Sequence, residues 1–122
     1  MNIILWILQA LLGLAFIAAG YNHGFNIEKA RTQMQWMTAV PDNLLRFIGV
    51  SEILGGLGLI LPAITGILPQ LTAWAATGLS LIMILAALFH LRRGEYPAIV
   101  INLVLLALAA FVAYGRFVLV PL

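Results

Sequence analysis

Glu52 lies in the run Phe47 to Pro62, FIGVSEILGGLGLILP, where nearly every other residue is apolar or small. A lone carboxylate in hydrocarbon costs several kcal/mol or more, so it is tolerated only where it is paired, hydrogen-bonded or used. The two histidines, His23 and His90, can exchange protons near neutral pH, and Asn102 adds an amide with both donor and acceptor capacity. A buried glutamate beside an imidazole suits general acid and base chemistry on a polar head group. The same residue types also suit plain helix-to-helix hydrogen bonding, in which Glu52 ties helices together through His90 or Asn102. A haem held by His23 and His90 would be poorly enclosed, because both imidazoles fall at the rim of the apolar runs. A metal site from Glu52, His23 and His90 would rest on distance alone. No metal is assigned.

The chain has no cysteine, which removes thiolate nucleophiles, disulfide exchange and iron–sulfur ligation. Any redox role must then use a bound cofactor or a partner. Its charges are few, six basic residues against four acidic, too few to suggest nucleic-acid binding.

The elements that must position these groups follow from composition. Hydrophobic residues make up 64% of the 122 and charged residues 8%, with a mean hydropathy of +1.12. That is more apolar surface than a soluble domain of this size can bury, so we expect an integral membrane protein. Four runs reach the length that a bilayer demands, at residues 3–20, 44–61, 71–91 and 98–114. The expected fold is an all-α, single-domain, four-helix membrane bundle over residues 1–122. The first run ends AFIAAG, like a signal-peptide cleavage site, but MN precedes it without the usual positive charge, so we expect a retained helix.

Between the first two runs, NIEKARTQMQWMTAVPDN places Ile27, Ala30, Met34 and Met37 at helical spacing, which predicts a short interfacial helix. Asn26 is suited to cap it, and Trp36 to sit at the headgroup layer. Lys29, Arg31, Arg46, Arg92 and Arg93 fall on the side of the first and third loops and only Arg116 on the other. The positive-inside rule therefore predicts those loops in the cytoplasm and both termini outside. We expect a bacterial inner membrane location.

Each run carries its polar residues on a line of small ones: Gln9, Gly13, Phe16, Gly20 and His23; Leu45, Gly49, Glu52, Gly56 and Leu59; Ala76, Ser80, Met83, Ala87 and His90; Asn102, Leu105 and Ala109. Small residues mark close helix approach in membranes, so these faces should converge on the bundle axis. From the helical rise, Glu52 sits about 13 Å in from the loop-one end and Asn102 about 8 Å. The pattern predicts a polar cleft open toward that side. Arg46 is rotated about 120° from Glu52, so it should reach the interface instead.

The stretches AFIAAGYNHG, RFIGVSEILGGLGLILP and ALFHLRRGEY, with the later INL and GR, resemble the small four-helix DoxX-like membrane proteins over essentially the whole chain. The resemblance implies a compact bundle in which Glu52 and His90 recur. It implies function only loosely: relatives are linked to quinol oxidase and other membrane oxidoreductase complexes, and distant ones to assembly chaperones and sterol-binding bundles. Where that pattern commonly has AGxxK, this chain has AGYNH, so His23 takes the place of a permanent cation. If that cation neutralises the glutamate, the pairing here becomes dependent on pH.

Two functions follow as expectations. One is a redox-associated accessory subunit whose cleft admits a quinone while Glu52 and His90 relay protons, no cofactor being encoded by the chain itself. The other is a non-catalytic module that holds a lipid, a sterol-like ligand or a helix of another membrane protein, for which Gly49, Gly55, Gly56 and Gly58 offer a close-packing surface. Partners would be membrane lipid and a membrane oxidoreductase or other membrane protein, with homo-oligomers also compatible. No enzyme activity is assigned.

Overall fold

The computed structural model describes residues 1–122 and is all-helical. Helix α1 spans Asn2–Phe25, α2 Ile27–Gln33, α3 Asp42–Thr65, α4 Leu71–Arg92 and α5 Tyr96–Tyr114, with a 3-10 turn at Gln35–Ala39 and a π turn at Gly115–Leu119. Four of these helices are long and apolar enough to cross a membrane, the last counted through Leu119. Only 27 of the 122 residues are buried, and large apolar side chains such as Leu11, Leu14, Phe47, Leu54, Leu81 and Val100 are exposed. A surface of that kind is stable against acyl chains, not water. Ser51, Thr65, Thr77 and Ser80 turn their hydroxyls back to the carbonyls of Phe47, Leu61, Ala73 and Ala76, so these polar groups are satisfied within their own helices.

Helix α1 packs most extensively on α3, and α4 on α5; α3 joins the two pairs, while α1 and α5 touch little. The α1–α3 seam is made by glycines. A Cβ added to Gly56 would lie 2.5 Å from the Gly13 carbonyl oxygen, and one on Gly49 would lie 2.5 Å from the Gly20 carbonyl oxygen. The backbones therefore meet with no room for a side chain, the packing that small residues permit in lipid. Gly55 and Gly58 face Leu79 and Ala75 of α4 in the same way. The glycine-rich stretch of α3 is thus taken up by the chain's own helices.

Turn chemistry sets the ends. Helix α3 stops at Gly66, whose φ of +72° is a left-handed cap, and its amide bonds back to the Pro62 carbonyl. Gly94 takes the equivalent positive φ of +69° in the tight α4–α5 connection. The α1–α3 connection folds as α2 plus the 3-10 turn, so the expected interfacial helix is shorter than its apolar spacing suggested. Asn26 makes no side-chain cap. Arg31 pins this segment: it donates to the carbonyls of Met37 at 3.3 Å and Val40 at 2.9 Å, and it pairs with Asp42 at 2.6 Å. Beneath it Ile27, Ala30, Met37, Val40 and Leu45 form a small apolar core of their own.

Both connections and three of the four acidic residues, Glu28, Asp42 and Glu95, lie at one end, here termed the basic end for its five cations. At the far end the π turn carries Arg116 back into the bundle, where it is 4% exposed. Its Nε donates to Gln9 Oε1 at 2.6 Å and its Nη1 to Asn2 Oδ1 at 2.8 Å, while Gln9 Nε2 donates to the Leu59 carbonyl at 2.9 Å. This chain of bonds ties α3, α1 and the end of α5 together. The sequence reading counted Arg116 only as the one cation on the opposite side; the extra turn beyond Tyr114 is what draws it inward.

Candidate functional site

The buried residues of α3 are Leu45, Gly49, Glu52, Gly56 and Leu59, a single line along the helix. Glu52 therefore faces the bundle interior. From α1, His23 comes to meet it: His23 Nδ1 lies 2.6 Å from Glu52 Oε1. With Glu52 ionised, Nδ1 carries the proton and donates, which leaves Nε2 of His23 free for another group. The carboxyl side chain is 3% exposed and the imidazole 16%, so the pair is shielded from most solvent competition.

His90 is directed elsewhere. Its Nδ1 is 2.9 Å from Glu95 Oε1, and Arg93 Nε donates to that same oxygen at 3.0 Å. The His90 hydrogen bond is the main reason that the Glu95 carboxyl is held below its ordinary range, aided by Arg93 and opposed by desolvation. His90 thus takes its carboxylate partner from the turn five residues on, and not from Glu52.

Trp36, carried by the 3-10 turn, stands edge-on to both imidazoles, with ring centroids 5.2 Å from His23 and 5.5 Å from His90. It also meets Phe89 at 6.1 Å. Because Arg31 fixes the segment that bears it, Trp36 is held as a roof over the space between the two histidines. Its place as an interface anchor in the sequence reading understates this.

Beneath the roof lies a cavity of about 250 Å³. Helix α1 contributes Ala15, Phe16, Ala19 and His23, α5 contributes Ala98, Ile101, Asn102 and Leu105, and Glu52, Met83 and His90 form the back. All four residues singled out by the sequence, Glu52, His23, His90 and Asn102, line this one space. Asn102 is 9% exposed, and its Nδ2 has no hydrogen-bond partner in the chain. A buried donor without an acceptor is uncommon and costs about 1–3 kcal/mol. No three histidine, aspartate or glutamate side chains converge as metal ligands: His23 and Glu52 are joined, and His90 is turned away to Glu95.

The family model of the DoxX-like family matches residues 7–112. The chain belongs to the DoxX-like family. No curated protein and no solved structure matches it. Within this DoxX-like chain the matched region takes in α1 from Ile7 through most of α5, and so includes every residue that lines the cavity. Of the site-forming residues, the sequence reading passed over Glu95 and took Trp36 only as an interface anchor. The short spacing from His90 to Glu95 was the available signal for the first, and nothing short of the folded connection locates the second.

Proposed function

We propose that this DoxX-like protein is a membrane accessory protein whose cavity holds the polar head of a lipophilic ligand, and that the ligand is a quinone shared with a membrane oxidoreductase. The observation that carries this reading is the unpartnered Nδ2 of Asn102, buried in a cavity that also presents the His23–Glu52 pair. A quinone carbonyl is an acceptor that Asn102 would satisfy. Reduction of the ring takes up two electrons and two protons; in this reading the partner supplies the electrons, and Glu52 and His23 are placed to pass protons. The cavity lies under the basic end, and the bias of Lys29, Arg31, Arg46, Arg92 and Arg93 to that end supports a cytoplasmic location for it in a bacterial inner membrane. A reporter fused after Leu122 that is active in the cytoplasm would reverse that orientation.

The test uses Trp36 as the probe. With Trp6 and Trp74 changed to Phe, it is the one remaining tryptophan, and decylubiquinone added to the purified protein should quench it saturably. Glu52→Gln keeps shape and most hydrogen bonding; it should stay folded and bind more weakly. Absence of saturable quenching in the otherwise unaltered protein would refute the quinone reading. Equal binding by a well-folded Glu52→Gln protein would leave a holding site for a lipid or sterol-like molecule, with no part for the proton of Glu52.

A further inference from the structure

The walls of the cavity differ in how they are closed. At the back, α3 and α4 pack together and place Glu52, Met83 and His90. Overhead, Trp36 sits against both imidazoles on a segment that Arg31 bonds in place. At the far end, Leu5 of α1 packs against Gly115, where an added Cβ would lie 2.6 Å from Leu5 Cδ2, and Arg116 grips Gln9 and Asn2. Toward the basic end neither a close glycine approach nor a side-chain hydrogen bond joins α1 to α5. There the cavity is bounded by Ala15 and Ala19 on one side and Ala98 and Ile101 on the other. Ala15 and Ile101 are exposed, and Ala19 and Ala98 are half-buried. They lie among the lipid-facing side chains Leu11, Leu14 and Val100.

We infer that the cavity is open sideways to the bilayer between α1 and α5, and that it is loaded from the acyl-chain region by a molecule with an uncharged, hydrogen-bond-accepting head and a hydrocarbon tail. Volume decides that only the head is enclosed: about 250 Å³ is below the usual range of pockets that swallow a whole ligand, about 300–1,000 Å³. The tail has to leave through the side that lacks a wall, and that side is apolar. Asn102 Nδ2 requires an acceptor of the head. A phosphate or carboxylate head would have to give up its water in a cavity lined mostly by apolar side chains, which disfavours charged heads. This inference rests on the ligand-binding reading above and adds the route and the shape of the occupant.

The chain has no cysteine, so a single Ala19→Cys variant can carry a nitroxide label at the proposed opening. Reconstituted in phosphatidylcholine vesicles without added ligand, the label should collide with molecular oxygen as readily as one at Leu14 and be shielded from a water-soluble nickel chelate. A label at the exposed Gln35 gives the aqueous reference. Low oxygen contact at position 19 would mean a closed wall, and nickel contact near that at Gln35 would mean an aqueous vestibule; either result overturns lateral loading. In parallel, Ile101→Trp should fill the gap and abolish decylubiquinone binding, while a quinone head with no tail still quenches Trp36 in a Trp6→Phe, Trp74→Phe, Ile101→Tyr protein. Undiminished decylubiquinone binding in both gap-filled variants would refute the tail's path. If the unaltered protein binds no quinone, the quinone reading falls and this occupant with it; the label at Ala19 reports on the opening independently of that result.

Discussion

Asn102→Leu should make the ligand-free protein more stable and a worse binder. Asn102 Nδ2 is buried and has no partner, so the amide contributes the cost of an unmet donor, about 1–3 kcal/mol on general grounds. Polar interactions inside membrane bundles are worth less than that in measured cases, averaging about 0.6 kcal/mol, which puts the expected gain near the lower bound, about 1 kcal/mol. Leucine has the same number of side-chain heavy atoms as asparagine, and its extra volume can extend into the cavity beside the apolar lining at Met83 and Leu105. For a chain of this length the gain corresponds to roughly 3–5 °C in Tm. The assay is a thermal melt of delipidated protein in detergent, followed by a decylubiquinone titration. One neutral hydrogen bond of about 0.5–1.5 kcal/mol should be lost from binding, roughly 2- to 10-fold in Kd. A variant that melts below the unaltered protein would refute the reasoning, because the amide would then be satisfied before any ligand arrives.

Gly56→Leu should cost at least about 1–3 kcal/mol through overpacking, because an added Cβ meets the Gly13 carbonyl oxygen at 2.5 Å and Ile17 Cγ1 at 2.8 Å. The exposed neighbour Leu57 should tolerate alanine, and equal losses in detergent melts would mean that the helical faces are misassigned. Arg116→Leu should lower stability by about 2 kcal/mol, since Gln9 Oε1 loses a charged donor; adding Gln9→Leu should recover part of it, and a further loss in the double variant would refute that coupling. For Glu95, whose carboxyl is held below its ordinary range by His90, the sign is fixed by linkage. The folded state binds fewer protons there, so the stabilisation is complete above the ordinary carboxylate range and is lost as pH falls below that range through the lowered folded-state value. The Tm difference between unaltered and Glu95→Gln proteins should therefore close on acidification, and a difference that widens would be incompatible with the His90–Glu95 bond.

The inward face of α3 was legible because period 3.6 places Leu45, Gly49, Glu52, Gly56 and Leu59 in one line, and all five are buried. The family pattern, with His23 in the place of a cation, also pointed to the partner that Glu52 meets at 2.6 Å. Helical spacing alone did not: it ranks residues around one helix and carries no information on how far neighbouring helices slide past each other. That is why Glu52 was expected opposite His90 and Asn102, whereas His90 is bonded to Glu95 across a turn closed by Gly94. Arg116 escaped for a different reason. The apolar run ends at Tyr114, but the backbone goes on for one wide π turn, and a turn's pitch is not written in hydropathy.

The two polar groups of the bundle interior, His23 with Glu52 and Gln9 with Arg116, are separated along α1 by about 21 Å of helix. Between them Leu12, Phe16, Leu59, Ala76, Leu79, Met83 and Ala109 close into one apolar cluster. A proton cannot hop across such a layer, which offers neither side chains to carry it nor a polar lining to hold a file of water. A proton accepted by Glu52, as the proposed function has it, would return by the face from which it came. On the proposed reading, the proton chemistry of Glu52 would therefore be scalar, an exchange with one compartment only.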